Sequence, residues 1–284
     1  MEDWTVRDDD RPYLPPTQRS YAWPVVAVAL IVALAGAYYY YLREHQARPA
    51  PETSASTPAE TTSTPQPQPA IRHPLETPQP QAAQSLPALE NSDAMVRESL
   101  VELVGDRAFA DLVVPSLLIR RVVATIDNLP RPTAPRRMIP LNPVPGAFVA
   151  SGEPNEAVIA PANFARYAPY VRVMESVDSR ALVYSYVRAY PLFQRAYEEL
   201  GYPGKYFNDR LMQAIDDMLA APEIDTPIAV MKPRILYEFA DPDLETRSAG
   251  QKILIRMGKE NALRVKAKLW EIRRELLAAR APQR

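Results

Sequence analysis

Between Pro24 and Leu42 the chain carries no charged side chain, and no other stretch restricts its possible folds as much. About nineteen helical residues rise about 28 Å, close to the hydrocarbon thickness of a bilayer. Such a segment spans a membrane, is removed as the core of a signal peptide, or lies buried in a protein interior. Trp23 stands at one end and Tyr38 to Tyr41 at the other, where amphipathic rings suit the membrane–water interface, and Arg43 follows directly. The signal-peptide alternative draws on Ala33-Leu34-Ala35 and Ala35-Gly36-Ala37, which have the small residues of a cleavage site. Against it, the segment before Trp23 is long and holds more acids than bases, and the aromatic run continues past both sites. The expectation is an uncleaved single-pass anchor over residues 23–42, in contact with lipid from Pro24 to Leu42.

Arg7, Arg11 and Arg19 precede this span and Arg43 and Arg48 follow it. The excess on the N-terminal side favours a cytoplasmic tail at residues 1–22 and a translocated C-terminal portion, because acidic residues count for little in this bias. The matching location is a bacterial inner membrane with the bulk of the chain in the periplasm. The absence of cysteine suits an oxidising compartment and removes disulfides, thiolate metal sites and cysteine nucleophiles.

The chain has 31 prolines against 8 glycines, and the prolines crowd between Arg48 and Pro87. This region lacks aromatic residues and has few large apolar ones, so it cannot bury enough surface to offset its ordering entropy. Residues 43–90 read as a disordered, semi-stiff tether with a reach on the order of 100 Å if largely polyproline II. Residues 91–284 are ample for one domain.

That domain reads as mostly α with a small β-hairpin element. Ser92 or Asp93 can cap a helix carrying Met95, Val96, Leu100, Leu103 and Val104, with Gly105 as its stop. A second helix follows Pro115 to about Asp127, and AFVAS with EAVIA around GEPN reads as a hairpin. From Asp178 to Leu200, Tyr186, Val187, Tyr190, Phe193 and Tyr197 share one face at helical spacing, and Pro191 is expected to kink or split the helix. Tyr190 and Tyr197 are candidates for a sugar-stacking platform, with a packed core as the competing role.

In YPGKYFNDRLMQAIDDML, Asn208 can cap a helix. Asp209 and Asp216, seven residues apart, share one of its faces and are the named catalytic candidates. Two carboxylates can divide acid and base roles or bind a cation, yet such pairs also occur on solvated faces. Further on, Ser248 and Gln251 stand in capping-box spacing and Gly258 ends the helix. The last helix has Val265, Leu269, Ile272 and Leu276 on one stripe and Leu263, Trp270 and Leu277 on another. Lys259, Lys266, Arg273 and Arg280 fall between them. Cations flanked by apolar rows need carboxylate partners or a bound anion, so these residues are candidates for a docking stripe or for internal pairing.

FNDRLMQAIDDML, ADPDLETRSAGQKILIRMG, ENALRVKAKL and PANFARYAPY together resemble domain of unknown function family 3014, found in bacterial proteins with an N-terminal membrane segment. The resemblance covers most of the chain after the tether and implies an envelope setting, with no activity or site residues attached. Both histidines, His45 and His73, fall in the tether, so the domain lacks Ser-His-Asp triads and ordinary zinc sites. No Ser-x-x-Lys, GxGxxG or Walker A pattern occurs. No cofactor and no metal is expected, and nucleic acid is disfavoured by location. The function expected is a non-enzymatic, membrane-tethered binding or scaffold protein for an envelope protein or the cell wall. The alternative is a carboxylate-dependent cell-wall or glycan hydrolase using Asp209, Asp216 or other acids.

Overall fold

The computed structural model describes residues 70–75, 86–153, 156–233 and 236–279. The anchor expected at 23–42, the tail before it, most of the proline-rich segment and Arg280 lie outside them. Among the described residues no helix is long and apolar enough to cross a membrane. Nine α-helices and two short hairpins occur among the described residues, so the domain is mostly helical.

The helices break where glycine forces a corner. Helix α1 (Asp93–Val104) and α2 (Asp106–Leu112) are separated by Gly105 alone, at φ 82° and ψ 154°, a region essentially reserved for glycine. The sequence pattern did not anticipate α2, because the glycine stop conceals a new start. Neither candidate cap serves α1. Ser92 is buried and donates to the Leu89 carbonyl at 2.8 Å. The Asp93 carboxylate accepts from the amides of Leu117 and Leu118 at 2.7 and 2.8 Å, and so caps α3 (Leu118–Asn128) from outside that helix. Leu117 sits at φ 53°, in the left-handed region, and this double bond helps to hold it there.

The first hairpin forms where alternation predicts it. Strands β1 (Ala150–Ser151) and β2 (Val158–Ile159) are antiparallel, with Ala150 opposite Ile159. Helix α4 (Ala162–Ser176) follows with Pro161 as its N-cap. Helix α5 (Ser179–Glu199) starts on the Asp178 carboxylate, which accepts from the Ala181 amide at 2.7 Å. It runs unbroken through Pro191, contrary to the expected split. Proline withholds one donor, while Val183, Tyr190, Leu192 and Tyr197 are buried along the helix, and that packing outweighs the missing bond.

Helix α6 (Phe207–Leu219) is entered from Tyr206, so Asn208 lies inside its first turn instead of capping it. A second hairpin, β3 (Val230–Met231) and β4 (Glu238–Phe239), was not anticipated from the sequence pattern. The hairpins meet edge to edge: the Ile159 amide donates to Ile228 at 3.0 Å and the Val230 amide to Ala157 at 2.8 Å. Helix α7 (Pro242–Glu245) is capped by Asp241, and α8 (Ala249–Arg256) by Ser248, whose hydroxyl accepts from the Gln251 amide at 3.1 Å as the spacing predicts. Gly258 then turns the chain into α9 (Lys259–Ala278).

Three apolar clusters result. Val171, Val183, Met212, Ile215, Leu254, Val265, Leu269 and Leu276 pack α4, α5, α6, α8 and α9 together. Ile119, Val123, Tyr190, Leu192, Tyr197 and Phe207 pack α3 on α5 and the start of α6, with Leu75 and Leu89 added from outside the helices. Ala157, Ile159, Val230, Phe239 and Ile255 join the hairpins to α8. Tyr186 and Val187 of α5 touch the first two clusters, which makes α5 their shared wall.

Gly105 and Gly258 have nearly the same backbone angles and different surroundings. A Cβ on Gly105 would meet nothing within 4 Å, whereas one on Gly258 would come within 2.7 Å of the Phe164 ring. Gly105→Ala should therefore cost about 1–3 kcal/mol from backbone strain alone, and Gly258→Ala roughly 1–3 kcal/mol more from the displaced ring. Equilibrium denaturation of both variants checks the difference, and equal losses would contradict it.

Candidate functional site

The aromatic face of α5 is consumed in packing. Tyr190 and Tyr197 are both buried. Tyr190 meets Tyr186 and Tyr206 with ring centroids 5.7 and 5.3 Å apart, and Tyr197 stacks on Tyr202 at 4.7 Å. The Tyr190 hydroxyl donates to Gln194 at 2.9 Å, and Gln194 also accepts from the Phe207 amide at 2.9 Å. Burial pushes both phenols above the ordinary tyrosine range, helped at Tyr197 by the charge of Asp127. The rings act as the hinge plate between α5 and α6 and leave no open stacking face at these two positions.

The Asp209 carboxylate is engaged by main-chain amides. Residues 70–75, which composition places in the tether, lie across the start of α6. The Asp209 carboxylate accepts from two successive main-chain amides, Arg72 at 3.0 Å and His73 at 2.7 Å. The Asn208 amide donates to the His73 carbonyl at 2.9 Å, while the Leu75 amide donates to the Tyr206 hydroxyl at 2.9 Å. Leu75 itself is buried in the α3–α5 cluster. Asn208 is unavailable as a cap because its side chain reads this strap, with its carbonyl oxygen accepting from Tyr186 at 3.1 Å.

The strap is held by a narrow margin. Ordering six residues costs roughly 6–12 kcal/mol, less whatever Pro74 has already restricted. Two amide–carboxylate bonds contribute roughly 1.5–3 kcal/mol each, the two neutral bonds about 1 kcal/mol each, and Leu75 about 1.5–3 kcal/mol. The two sides are of similar size, so removing the carboxylate tips the balance.

Asp216 pairs with the last helix: the Arg273 guanidinium donates to it at 2.7 Å. Seven residues on a helix place the Cα atoms of Asp209 and Asp216 roughly 10 Å apart along the axis. With one carboxylate on the strap and the other on α9, they do not face each other across a cleft. Lys259 bonds Asp225 at 2.5 Å, and buried Lys266 donates to the Ala221 carbonyl at 2.6 Å with Glu223 at 3.4 Å. The three described cations of the stripe thus form one closed flank of α9. On its other flank Arg264 forks onto Glu175, and Lys268 donates to Glu271 at 2.7 Å and to the Val177 carbonyl at 3.0 Å.

The most buried charge was not singled out by pattern at all. The Asp127 side chain is 5 % exposed and takes Arg131 at 2.8 Å, Arg210 at 3.1 Å and the Tyr202 hydroxyl at 3.2 Å. It stood in the sequence as the end of a helix, and its partners come from 4, 75 and 83 positions away. Asp217 is a second hub, accepting from Ser248 at 2.6 Å and from the Gln251 amide group at 3.2 Å. Among the described residues no three His, Asp or Glu side chains converge on a point that could hold a metal ion. A shallow groove of about 250 Å³ between α1 and α2 is lined by Ala94, Arg97, Glu98, Val101 and Asp106.

With both flanks of α9 closed and its Val265–Leu276 stripe in the core, one face is left over. Leu263, Trp270 and Leu277 lie on it, 40 %, 57 % and 36 % exposed. The Arg273 guanidinium braces the Trp270 ring from 5.5 Å.

Asp209→Ala should release the strap. Hydrogen exchange at the Arg72 and His73 amides would accelerate to the rate of an unstructured chain, while α6 and α9 keep their protection; unchanged protection at those amides would refute the clamp. A pH prediction follows from the glutamates. The Arg264 guanidinium lowers Glu175 and the Lys268 ammonium lowers Glu271 below the ordinary carboxylate range. Burial opposes ionisation of Glu245, but the Lys252 ammonium and the Phe239 amide outweigh it and lower it too. Groups lowered by folding stabilise above their unfolded value, about 4.3 for Glu, and lose that contribution as pH falls through their folded values. The urea midpoint should therefore be flat above about pH 5 and drop below about pH 4.

No curated protein and no solved structure matches the chain. The family described as "Protein of unknown function (DUF3014)" matches residues 118–273. That span opens on the first residue of α3 and closes at Arg273, so it takes in the hairpins, the Asp127 cluster and most of α9, and leaves out the strap, α1 and α2. Since the match covers more than half of the 284 residues, the chain belongs to this family of proteins of unknown function.

Proposed function

We propose that this chain is a membrane-tethered binding or scaffold protein of the bacterial envelope, acting by contact and not by catalysis. In this reading Pro24 to Leu42 span the inner membrane, the proline-rich segment is the leash, and the helical domain lies in the periplasm. Its partner is an envelope protein or the cell wall.

The observation that carries the reading is the use made of Asp209. Asp209, one of the two acids considered for chemistry, clamps the first described stretch of the leash, through two main-chain amides, to the start of α6. A second support is the commitment of Asp216, Lys259, Lys266 and Arg273 to internal pairs, which leaves an apolar stripe as the conspicuous feature of α9. A catalytic surface needs poised charge, whereas a contact surface needs exposed apolar area.

The natural lack of cysteine makes the test direct. In intact cells a membrane-impermeant thiol reagent that crosses the outer membrane should label a Ser54→Cys variant and leave Thr5→Cys unlabelled until the cells are lysed. Cross-linked capture of the full chain should then recover the same envelope component with wild type and with Asp216→Asn. Labelling of Thr5→Cys alone, or loss of function in a folded Asp216→Asn variant with capture intact, would defeat the proposal.

A further inference from the structure

Along the outward face of α9, Glu260, Leu263, Ala267, Trp270, Arg274 and Leu277 follow one another at alternating steps of three and four residues. This is the repeat by which one helix seats along another. The stripe is not an edge of the core: Leu263, Ala267, Trp270 and Leu277 are exposed, while the residues between them turn inward or pair with α4, α6 and the segment after α6. Arg274 projects with its side chain 74 % exposed and approaches Glu275 only to 3.6 Å.

We propose that this face seats a second copy of the same chain, the two α9 helices packing antiparallel about a two-fold axis between Lys268 and Leu269. The inference rests on the reading of the domain as a binding module and names what one of its surfaces binds. Shape selects the occupant first. The antiparallel register that brings all six positions into contact sets Trp270 of one copy on Ala267 of the other, so the largest side chain of the stripe meets its smallest. Charge selects it again. Glu260 of one copy then comes within one layer of Arg274 of the other, and two-fold symmetry makes the contact twice. A parallel pair would instead set Glu260 beside Glu260 and Arg274 beside Arg274, which is repulsive at both ends.

Six positions are far fewer than the roughly 20–30 residues a side of a standard interface. The pairing is therefore weak in free solution and depends on concentration. Confining chains to one surface would favour it through effective concentration.

Full-length chain in detergent micelles, followed by sedimentation over a range of concentrations, should show a monomer–dimer equilibrium. Trp270→Ala should weaken it about thirtyfold, the loss of a hot-spot aromatic. Glu260→Arg should weaken it several-fold, and adding Arg274→Glu should restore it. Cysteine exchange reports the direction: a mixture of Glu260→Cys and Leu277→Cys chains should form a mixed disulfide, and Glu260→Cys alone should not. A monomer at every concentration, self-linking of Glu260→Cys, or failure of the charge reversal to restore pairing would each overturn the proposal. A monomer whose Trp270→Ala variant loses its envelope partner would assign the face to that partner, against this inference and in favour of the binding-module reading. Failure of the thiol-labelling pattern with dimerisation intact would do the reverse.

Discussion

A carboxylate buried at Asp127 obliges the surrounding chain to supply cations, and much of the architecture meets that demand. Arg131 comes from the turn after α3, Arg210 from α6, and Tyr202 from the turn between α5 and α6. An uncompensated charge at this depth would cost several kcal/mol, so the site is satisfied only when α3 and α6 are docked on each other. Docking in turn brings Phe207 and Tyr197 onto Ile119 and Val123, which closes the second apolar cluster. Polar and apolar requirements therefore point to the same packing, as foldable sequences require.

Local features of the domain were legible in the sequence for physical reasons. The Ser248 cap, the Gly105 and Gly258 corners and the first hairpin depend on residues within a few positions of one another, where backbone preference decides. The stripes of α9 were legible too, because helical periodicity alone sets their angles, and the three described cations, Lys259, Lys266 and Arg273, fall between them. What escaped was long-range. Asp93 caps a helix 24 and 25 positions onward, and Asp209 holds amides 136 and 137 positions back. Nothing near either aspartate separates such a role from an ordinary first-turn acid. At Pro191 the split, one of the two outcomes expected there, does not occur, because the local penalty is real and tertiary burial overrides it.

The family match and the folded unit have different edges. Residues 118–273 contain the three apolar clusters almost whole, and α1, α2 and the strap lie outside the match. Those outer pieces are fastened by polar contacts aimed at the matched region: Asp93 onto the start of α3, Glu90 onto Arg120 at 2.9 Å, and residues 72–75 onto α6. The arrangement is a helical body that coincides with the family match, with attachments fastened at helix starts, where unpaired amides and their partners are available.

The strap also decides how the domain experiences a pull. A tug arriving along the chain from the N-terminal side reaches Arg72 and His73 before it reaches α1, and it meets two amide–carboxylate bonds on α6 and a side chain sunk beside Ile119. A pull held at that point loads α6 and the Asp127 cluster behind it before it reaches α1 and α2, which lie downstream on the chain.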